Sequence, residues 1–406
     1  MERDTKTYLS ISSLKQENMD TNKRIWLCLA HMSDAGEEMR FIKEAFDTNW
    51  VVPLGPNVNG FEKDLEEYIN HPADGRDLGK KVVALSAGTA AIHLALVNLG
   101  VKAGDEVICQ SFTFAASANP VTYQGATPVF VDSEPGTWNM DPNLLEDAIK
   151  DRIAKGKKPK AIIPVYLYGM PAYIDEIMEV ARRYEIPVLE DAAEGFGSRY
   201  RGQVVGTFGD YGVMSFNGNK MITTSGGGAL ICPDEEAAKR ILFFATQARE
   251  PFPYYQHEHI GYNYRMSNIC AGIGRGQMTI VNDHLAHHVH TKDVYQEAFA
   301  DIDGIELHVA PEDYMEPNYW LNTITVDPDK FGMDYEQLRQ VLDKANIESR
   351  PLWKPMHMQP VFKDAPAYVN GVSESLFKVG LCLPSGPMVT DEDLAYIVET
   401  IKQAKK

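Results

Sequence analysis

The sequence predicts an α/β protein with a mostly parallel central sheet and a smaller second α/β unit. Short apolar runs such as KVVALS, DEVICQ and IPVLED alternate with amphipathic stretches such as NLLEDAIKDRIAK and IDEIMEVARRYE between about residues 80 and 235. Strands separated by helices of this length indicate βαβ units, whose parallel strands are flanked by helices and buried on both faces. After about residue 305, strand-like NTITVD and helical DYEQLRQVLDKAN predict the smaller C-terminal unit.

The domain organisation follows from this order of elements. We expect a loosely ordered extension at 1–22, a large ligand-binding domain at 23–275, a connecting helix at 276–300 and a small C-terminal domain at 301–406. The extension is polar and mixed in charge, without the apolar stretch that a signal peptide has.

The composition argues against several classes of partner. The chain has 406 residues and a formal net charge of -18 at pH 7. That charge repels nucleic-acid backbones and anionic membrane surfaces, so we expect no nucleic acid and no membrane as partners. The five cysteines are scattered, odd in number and without a CxxC pair, which predicts a reduced, cytoplasmic protein.

Candidate ligand-binding residues follow three of the predicted strands, where open α/β sheets bind ligands. AGTAA opens a helix, so Gly88, Thr89 and the helix N-terminus could hold a phosphate, although a plain turn capped by Thr89 explains them too. Asp191 ends a buried strand and needs a partner there, which is a ligand, a helix cap or a core ion pair. Phe114 lies near the same edge as a core residue or as a platform for a ligand.

Lys220 is the only charged residue in the stretch GVMSFNGNKMITTSGGGALI. A lysine amine in a water-poor site can form a Schiff base. Pyridoxal phosphate matches this combination of an anion-binding helix N-terminus, an aromatic ring, a buried carboxylate and such a lysine. The carboxylate keeps the ring nitrogen of this cofactor protonated. The sequence therefore predicts a pyridoxal phosphate enzyme with Lys220 and Asp191 as catalytic residues. The glycines that follow are explained by close packing beside a cofactor or by a simple hairpin.

Five segments resemble motifs of the DegT/DnrJ/EryC1/StrS family of sugar aminotransferases. They are SAGTAAIHLAL, SFTFAASANPVTYQGATPVFVD, LEDAAEGFGS, GTFGDYGVMSFNGNKMITTSGGGAL and GYNYRMSNICAGIGRGQ. The resemblance runs from about residue 30 to the end of the chain. It implies the fold-type I architecture of aspartate aminotransferase and a ping-pong transamination.

The resemblance also implies a role for each matching residue. Lys220 bonds to the cofactor, Asp191 pairs with the ring nitrogen, and Glu194 lies near the ring hydroxyl. Many members have Gln at the position of Glu194, and a carboxylate there repels a phenolate unless it is protonated. The remaining expected cofactor contacts are Gly88, Thr89 and Ser215 on the phosphate, Phe114 on the ring, and Asn263 from the neighbouring subunit of a homodimer with a shared active site.

Within the family, NWVVPLGPNVNGFE, FNGNKMITTSGGG, ATQARE and RPLWKPMHMQPVF look most like UDP-N-acetylbacillosamine transaminases. This resemblance implies transfer of an amino group, with glutamate as donor, to C4 of a UDP-linked 2-acetamido-2,6-dideoxy-4-keto-hexose. A GDP-perosamine-type or dTDP-sugar aminotransferase is an alternative, and a non-catalytic cofactor-binding regulatory protein is an alternative of another class.

The residues that we expect to contact the sugar nucleotide lie in two segments. RPLW combines a guanidinium that can bind phosphate with an aromatic ring that can cover a uracil or sugar. Structural packing of its proline and tryptophan between two domains explains the segment equally well. The expected contacts are Pro53, Leu54, Gly55, Arg350, Trp353 and His357.

The segment HLAHHVH places His284 and His288 four residues apart on a predicted helix, as in some zinc sites. No Glu lies between them, and the sequence names no third ligand. We therefore expect a solvated helix face and no metal.

Overall fold

The structure, a computed structural model, describes residues 23–405, so the extension predicted at residues 1–22 lies outside it. The α-helices within the described range are α1 (Glu37–Asp47), α2 (Pro56–Ile69), α3 (Gly88–Asn98), α4 (Asn119–Tyr123), α5 (Pro142–Ala154), α6 (Ile174–Arg183), α7 (Glu235–Ala245), α8 (Asn268–Met278), α9 (Val281–Phe299), α10 (Pro328–Phe331), α11 (Tyr335–Lys344), α12 (Val372–Phe377) and α13 (Asp391–Ala404). The strands in the same range are β1 (Lys81–Leu85), β2 (Glu106–Gln110), β3 (Thr127–Val131), β4 (Ile162–Ile163), β5 (Leu189–Asp191), β6 (Arg199–Tyr200), β7 (Gln203–Val204), β8 (Tyr211–Ser215), β9 (Gly228–Cys232), β10 (Ile305–Leu307), β11 (Met315–Glu316), β12 (Asn322–Val326), β13 (Arg350–Pro351), β14 (Ala367–Tyr368) and β15 (Gly380–Leu383).

A mostly parallel sheet forms the centre of the molecule. In spatial order its strands are β1, β9, β8, β5, β4, β2, β3 and β14, with single bridges joining β5 to β4. Neighbouring strands run parallel except at β9, which is antiparallel to both β1 and β8. This arrangement confirms the predicted α/β class with a mostly parallel sheet.

Apolar cores cover both faces of this sheet. Along β2, Val107 and Cys109 pack into the core that includes residues of α3 and α7. Ile108, which points to the opposite face, packs into the core that includes residues of α5 and α6. Because successive side chains of a strand alternate between faces, helices on both sides require strands that are apolar throughout.

A second, antiparallel sheet with the strand order β10, β12, β15 and β13 lies in the C-terminal part. Its core also contains side chains of α9, α11 and α13. The predicted domain boundaries stay a prediction, and two pairings cross them. Ile25 pairs with Ile347, and Ala367 of β14 pairs with Phe130 of the central sheet.

The long helix predicted around residues 276–300 is interrupted near its start. Helix α8 ends at Met278 and α9 begins at Val281, so Thr279 and Ile280 separate them. Helix α9 has 19 residues. Neither it nor any other helix between residues 23 and 405 is long and apolar enough to cross a membrane.

The glycines after Lys220 lie where β8, β9 and the start of α3 meet. Ser215 is paired with Gly228 in the antiparallel β8–β9 pair. A Cβ atom on Gly228 would lie 2.3 Å from the backbone nitrogen of Gly88, so only glycine fits without moving α3. A Cβ atom on Gly226 would meet no atom within 4 Å. The fold therefore requires glycine at position 228 and does not require it at position 226.

We predict that Gly228→Ala destabilises the protein and Gly226→Ala does not. Overpacking a close backbone contact typically costs about 1–3 kcal/mol, so we expect a loss of that size for Gly228→Ala. Gly226→Ala is the matched control, with an expected change within about 0.5 kcal/mol. Urea unfolding followed by circular dichroism measures both, and equal stabilities would contradict the close approach of β9 to α3.

Candidate active site

A cavity of about 410 Å³ opens at the carboxyl ends of the central strands. The loops that follow β1, β2, β5 and β8 all contribute to its wall. They meet there because the four strands point towards the same edge of the sheet, which is where open α/β sheets bind ligands. The predicted site residues that line the cavity are Gly88, Thr89, Phe114, Asp191, Glu194, Ser215, Lys220 and Trp353.

Lys220 lies beside a carboxylate and an indole ring. Its Nζ atom is 3.5 Å from Oε1 of Glu194 and 3.8 Å from the centroid of the Trp320 ring. The side chain is 14% exposed, and the electron-rich face of the ring attracts the ammonium group. Trp320 also donates from Nε1 to the carbonyl of Asn219, at 2.6 Å. The lysine thus has a defined position with its amine at the cavity wall.

Sequence reasoning missed Trp320 entirely. The residue lies 100 positions after Lys220 and just before β12 of the antiparallel sheet, and nothing in the segment PNYW predicts contact with the lysine. Only the approach of the C-terminal part to the carboxyl edge of the central sheet brings the two side chains together.

Asp191 is buried at the end of β5 and accepts two hydrogen bonds from neutral donors. Ser117 Oγ donates to Oδ2 at 2.6 Å, and the Ala193 amide donates to Oδ1 at 3.1 Å. Burial raises the pKa of Asp191, while these two donors and the charge of Lys220 lower it. A buried carboxyl group with few compensating donors favours a cationic N–H group as a ligand, because such a ligand stabilises its charged form. Ser117, which sequence reasoning also missed, is therefore part of the support of this carboxylate.

Glu194 is a second buried carboxyl group in the cavity. Its Oε2 atom accepts the amide hydrogen of Tyr168 at 2.8 Å, and its Oε1 atom is the one that faces Lys220. Burial raises the pKa of Glu194, and the charge of Lys220 opposes this rise. The expected position of Glu194 near a ring hydroxyl stays a prediction.

The phosphate end of the cavity is built by the start of α3 and the end of β8. Helix α3 begins at Gly88, and no side chain caps its first turn. Ala87 occupies the N-cap position, so the alternative in which Thr89 caps the helix is wrong. A Cβ atom on Gly88 would be 3.6 Å from Oγ of Ser215, which places this hydroxyl beside the helix N-terminus. Unpaired amides and a hydroxyl together suit an anion.

Aromatic side chains form the outer wall of the cavity. Phe114 is 55% exposed, so it is not a core residue of this chain. Its ring lies 5.5 Å from that of Trp353, measured between centroids. The amide of Trp353 donates to the Tyr168 hydroxyl at 2.8 Å, which fixes this wall to the loop after β4. Phe114 is therefore free to cover a planar ligand.

The other expected contacts lie outside the lining of this cavity. Arg350 is paired with Glu348 at 2.7 Å, and Nδ1 of His357 lies 2.7 Å from Oγ of Ser111. Asn263 is exposed on its own chain. The expected sites that do not line the cavity are Pro53, Leu54, Gly55, Asn263, Arg350 and His357, and their roles stay predictions.

The histidine segment differs from its expected solvated face. His284 and His288 are both buried in the structure. The error arises because α9 packs between the lysine loop and the C-terminal part, so two of its histidines face inward. Across residues 23–405, no group of three or more His, Cys, Asp or Glu side chains is arranged to hold a metal ion.

Comparison with known proteins identifies the class of this fold and site. A family model of DegT/DnrJ/EryC1/StrS aminotransferases matches residues 32–402. EpsN of Bacillus subtilis (strain 168), provisionally named a pyridoxal phosphate-dependent aminotransferase, is 47% identical over 94% of this chain and 95% of its own. The GDP-perosamine synthase of Escherichia coli O157:H7 is 36% identical over 91% of this chain and 95% of its own.

A solved structure agrees with these relatives. The crystal structure of a DegT DnrJ EryC1 StrS aminotransferase from Brucella abortus matches with a TM-score of 0.83 and 30% identity, over 91% of this chain and 95% of that chain. The fold is that of a pyridoxal phosphate-dependent aminotransferase, which confirms the predicted enzyme class and cofactor. The chain belongs to the DegT/DnrJ/EryC1/StrS aminotransferase family.

The cavity residues fit pyridoxal phosphate. The amides at the start of α3 and the Ser215 hydroxyl would hold the phosphate group, and the buried carboxylate of Asp191 would hold the protonated ring nitrogen. When bound, the cofactor supplies an aldehyde that exchanges amines and a ring that withdraws electrons. Lys220 lies at the wall of the same cavity and would supply the amine that this chemistry needs.

Proposed function

We propose that this enzyme transfers the amino group of L-glutamate to C4 of a nucleotide-linked 4-keto-6-deoxy sugar. The observation that carries the proposal is the Lys220 amine in one cavity with the buried carboxyl groups of Asp191 and Glu194. Membership of the aminotransferase family and the 36% identity to a GDP-perosamine synthase support a sugar as the amino acceptor.

Each residue contributes a separate part of the chemistry. Lys220 Nζ would take a proton from the α-carbon of the donor and deliver it to the cofactor, which is general base and acid catalysis by one group. Glu194, 3.5 Å from that nitrogen, stabilises its cationic form in each turnover. Asp191 keeps the ring nitrogen protonated, so negative charge that develops near the donor carbon is stabilised. The aromatic wall of Phe114 and Trp353 limits access of water to this region.

For the acceptor we propose UDP-2-acetamido-2,6-dideoxy-4-keto-hexose, which would give UDP-4-amino-4,6-dideoxy-N-acetylglucosamine. The support is the resemblance of four segments, among them RPLWKPMHMQPVF, to UDP-N-acetylbacillosamine transaminases. The GDP-linked alternative has the support of the named GDP-perosamine synthase relative.

A panel of acceptors tests this assignment. The purified enzyme with pyridoxal phosphate and L-glutamate is given the UDP-linked, GDP-linked and dTDP-linked 4-keto-6-deoxy sugars, and the amino sugar is measured by mass spectrometry. We expect kcat/KM for the UDP-linked acetamido sugar to exceed the others by about tenfold or more, because a site with hydrogen bonds to one substrate rejects analogues that lack them. Reactions without glutamate are the control. A preference for the GDP-linked sugar would replace our assignment, and no turnover of any sugar would favour a regulatory protein.

Replacement of Lys220 tests its role in the chemistry. We expect Lys220→Arg to retain the fold and positive charge but to lose about a thousandfold or more in turnover, because a guanidinium neither bonds the aldehyde nor moves the proton. Borohydride treatment of the wild-type enzyme should label Lys220, as peptide mass spectrometry would show. Lys239→Arg, on the exposed side of α7, is the matched control with unchanged activity. Transamination by Lys220→Arg near the wild-type rate would remove the lysine from the mechanism.

We propose in addition that two copies of the chain share their active sites. The support is that Asn263 is exposed and does not line the cavity of its own chain. The preceding loop also exposes apolar side chains, among them Phe252, Tyr254, Tyr255 and Ile260. Light scattering of the purified protein should give twice the mass of the chain, and a monomer at micromolar concentration would contradict a shared site.

A further inference from the structure

Two buried histidines, one turn apart on α9, contact the backbone carbonyls of Met221 and Tyr319. His284 is 4% exposed and His288 is 0% exposed. Nδ1 of His284 lies 3.1 Å from the carbonyl oxygen of Met221, and Nδ1 of His288 lies 3.0 Å from the carbonyl oxygen of Tyr319. Because a carbonyl oxygen only accepts, both Nδ1 atoms carry hydrogen and donate.

These two histidines are fixed donors and not proton carriers. In both, Nε2 is buried without a hydrogen-bond partner. Burial lowers the pKa of His284 and lowers that of His288 to about 3. Both rings are therefore neutral near pH 7, each with its hydrogen on the nitrogen that faces a carbonyl.

The two carbonyls belong to residues next to the groups that define the lysine site. Met221 directly follows Lys220, and Tyr319 directly precedes Trp320. The Trp320 ring lies against the Lys220 amine, and its Nε1 atom donates to Asn219 on the other side of the lysine. One face of α9 thus holds both the lysine loop and the ring that packs on its amine.

The turn at Tyr319 needs such support because its backbone is strained. Tyr319 has a φ of 49°, in the left-handed region that a bulky residue rarely adopts and that costs of order 1–3 kcal/mol. Asn318 holds the same turn, since its Oδ1 accepts the Trp320 amide at 2.8 Å and its Nδ2 donates to the Glu194 carbonyl at 2.8 Å. A strained backbone of this kind persists only where surrounding hydrogen bonds fix it. Here those hydrogen bonds connect the turn to residues of the lysine site.

We propose that His284 and His288 are positioning residues, which set the place of the Lys220 amine and the Trp320 ring for reaction with the cofactor aldehyde. They touch neither the cofactor nor the substrate and act through the Met221 and Tyr319 carbonyls. The inference rests on the proposed role of Lys220 and is independent of which sugar nucleotide is the acceptor.

Capture of pyridoxal phosphate by the apoprotein tests this role without any sugar. The rate of covalent bonding to Lys220 is measured by borohydride quenching and peptide mass spectrometry, beside the visible absorbance and its pH midpoint. His288→Leu and His284→Leu remove the donor, and we expect each to slow capture about tenfold or more, because a reacting group displaced by ~1 Å can cost about a hundredfold in rate. The pH midpoint of the visible band should shift in the same variants.

Conservative replacements and a neighbouring histidine provide the controls. His288→Asn places an N–H group near the position of Nδ1, so it should restore capture to within about threefold of the wild type. His288→Gln places its N–H group farther from the helix than Nδ1, so capture of pyridoxal phosphate by this variant should stay slow. This variant keeps the test valid if His288→Leu fails to fold. His287→Leu is the matched control, because His287 lies on the same helix and bonds instead to the carbonyl of Gly386, with its Nε2 at 3.1 Å.

The outcomes distinguish a positioning role of the two histidines from a purely structural one. Leu and Gln variants that capture the cofactor at the wild-type rate, with only a lower melting temperature, would overturn the inference and leave the histidines a structural role. Slowing of His287→Leu by the same factor would also overturn it. Failure of the wild-type apoprotein to bond pyridoxal phosphate at Lys220 would overturn the proposed function itself, and this inference with it.

Discussion

The structure depends on the burial of two carboxyl groups beside one amine at the carboxyl edge of a parallel sheet. Asp191 and Glu194 lie in the same cavity as Lys220, and burial raises the pKa of both acids. Removing charges from water is costly unless partners compensate them, and here two acids share one amine. A bound cofactor with a cationic ring nitrogen would supply further compensation for these charges.

Neutral donors from separate elements make that burial possible. Ser117 and the Ala193 amide bond to Asp191, and the Tyr168 amide bonds to Glu194. These groups come from the loops after β2, β5 and β4, so the site exists only when the sheet is assembled. The phosphate end of the cavity also depends on the assembled sheet, because the close approach of Gly228 to Gly88 packs the start of α3 against β9.

Much of this site could be predicted from local sequence, for an identifiable reason. Gly88, Asp191 and Lys220 each follow or end a recognisable strand, and parallel strands bring such positions to one edge. Trp320 could not be predicted, because its contact with Lys220 depends on how the antiparallel C-terminal sheet approaches the central one. The buried faces of His284 and His288 were mispredicted for a related reason, since a polar helix segment usually faces solvent and only packing shows otherwise.

The sequence by itself determined the α/β class and the cofactor, and it predicted Lys220 as the amine that would react with that cofactor, because alternation of strands and helices and strand-end residues are local properties. Tertiary structure alone decided the surroundings of that amine: the Trp320 ring against it, the strained turn at Tyr319, and the α9 histidines behind both. These contacts join residues about 30 to 100 positions apart along the chain. No local pattern encodes such distances, since they follow from how two separately formed sheets and one connecting helix pack together.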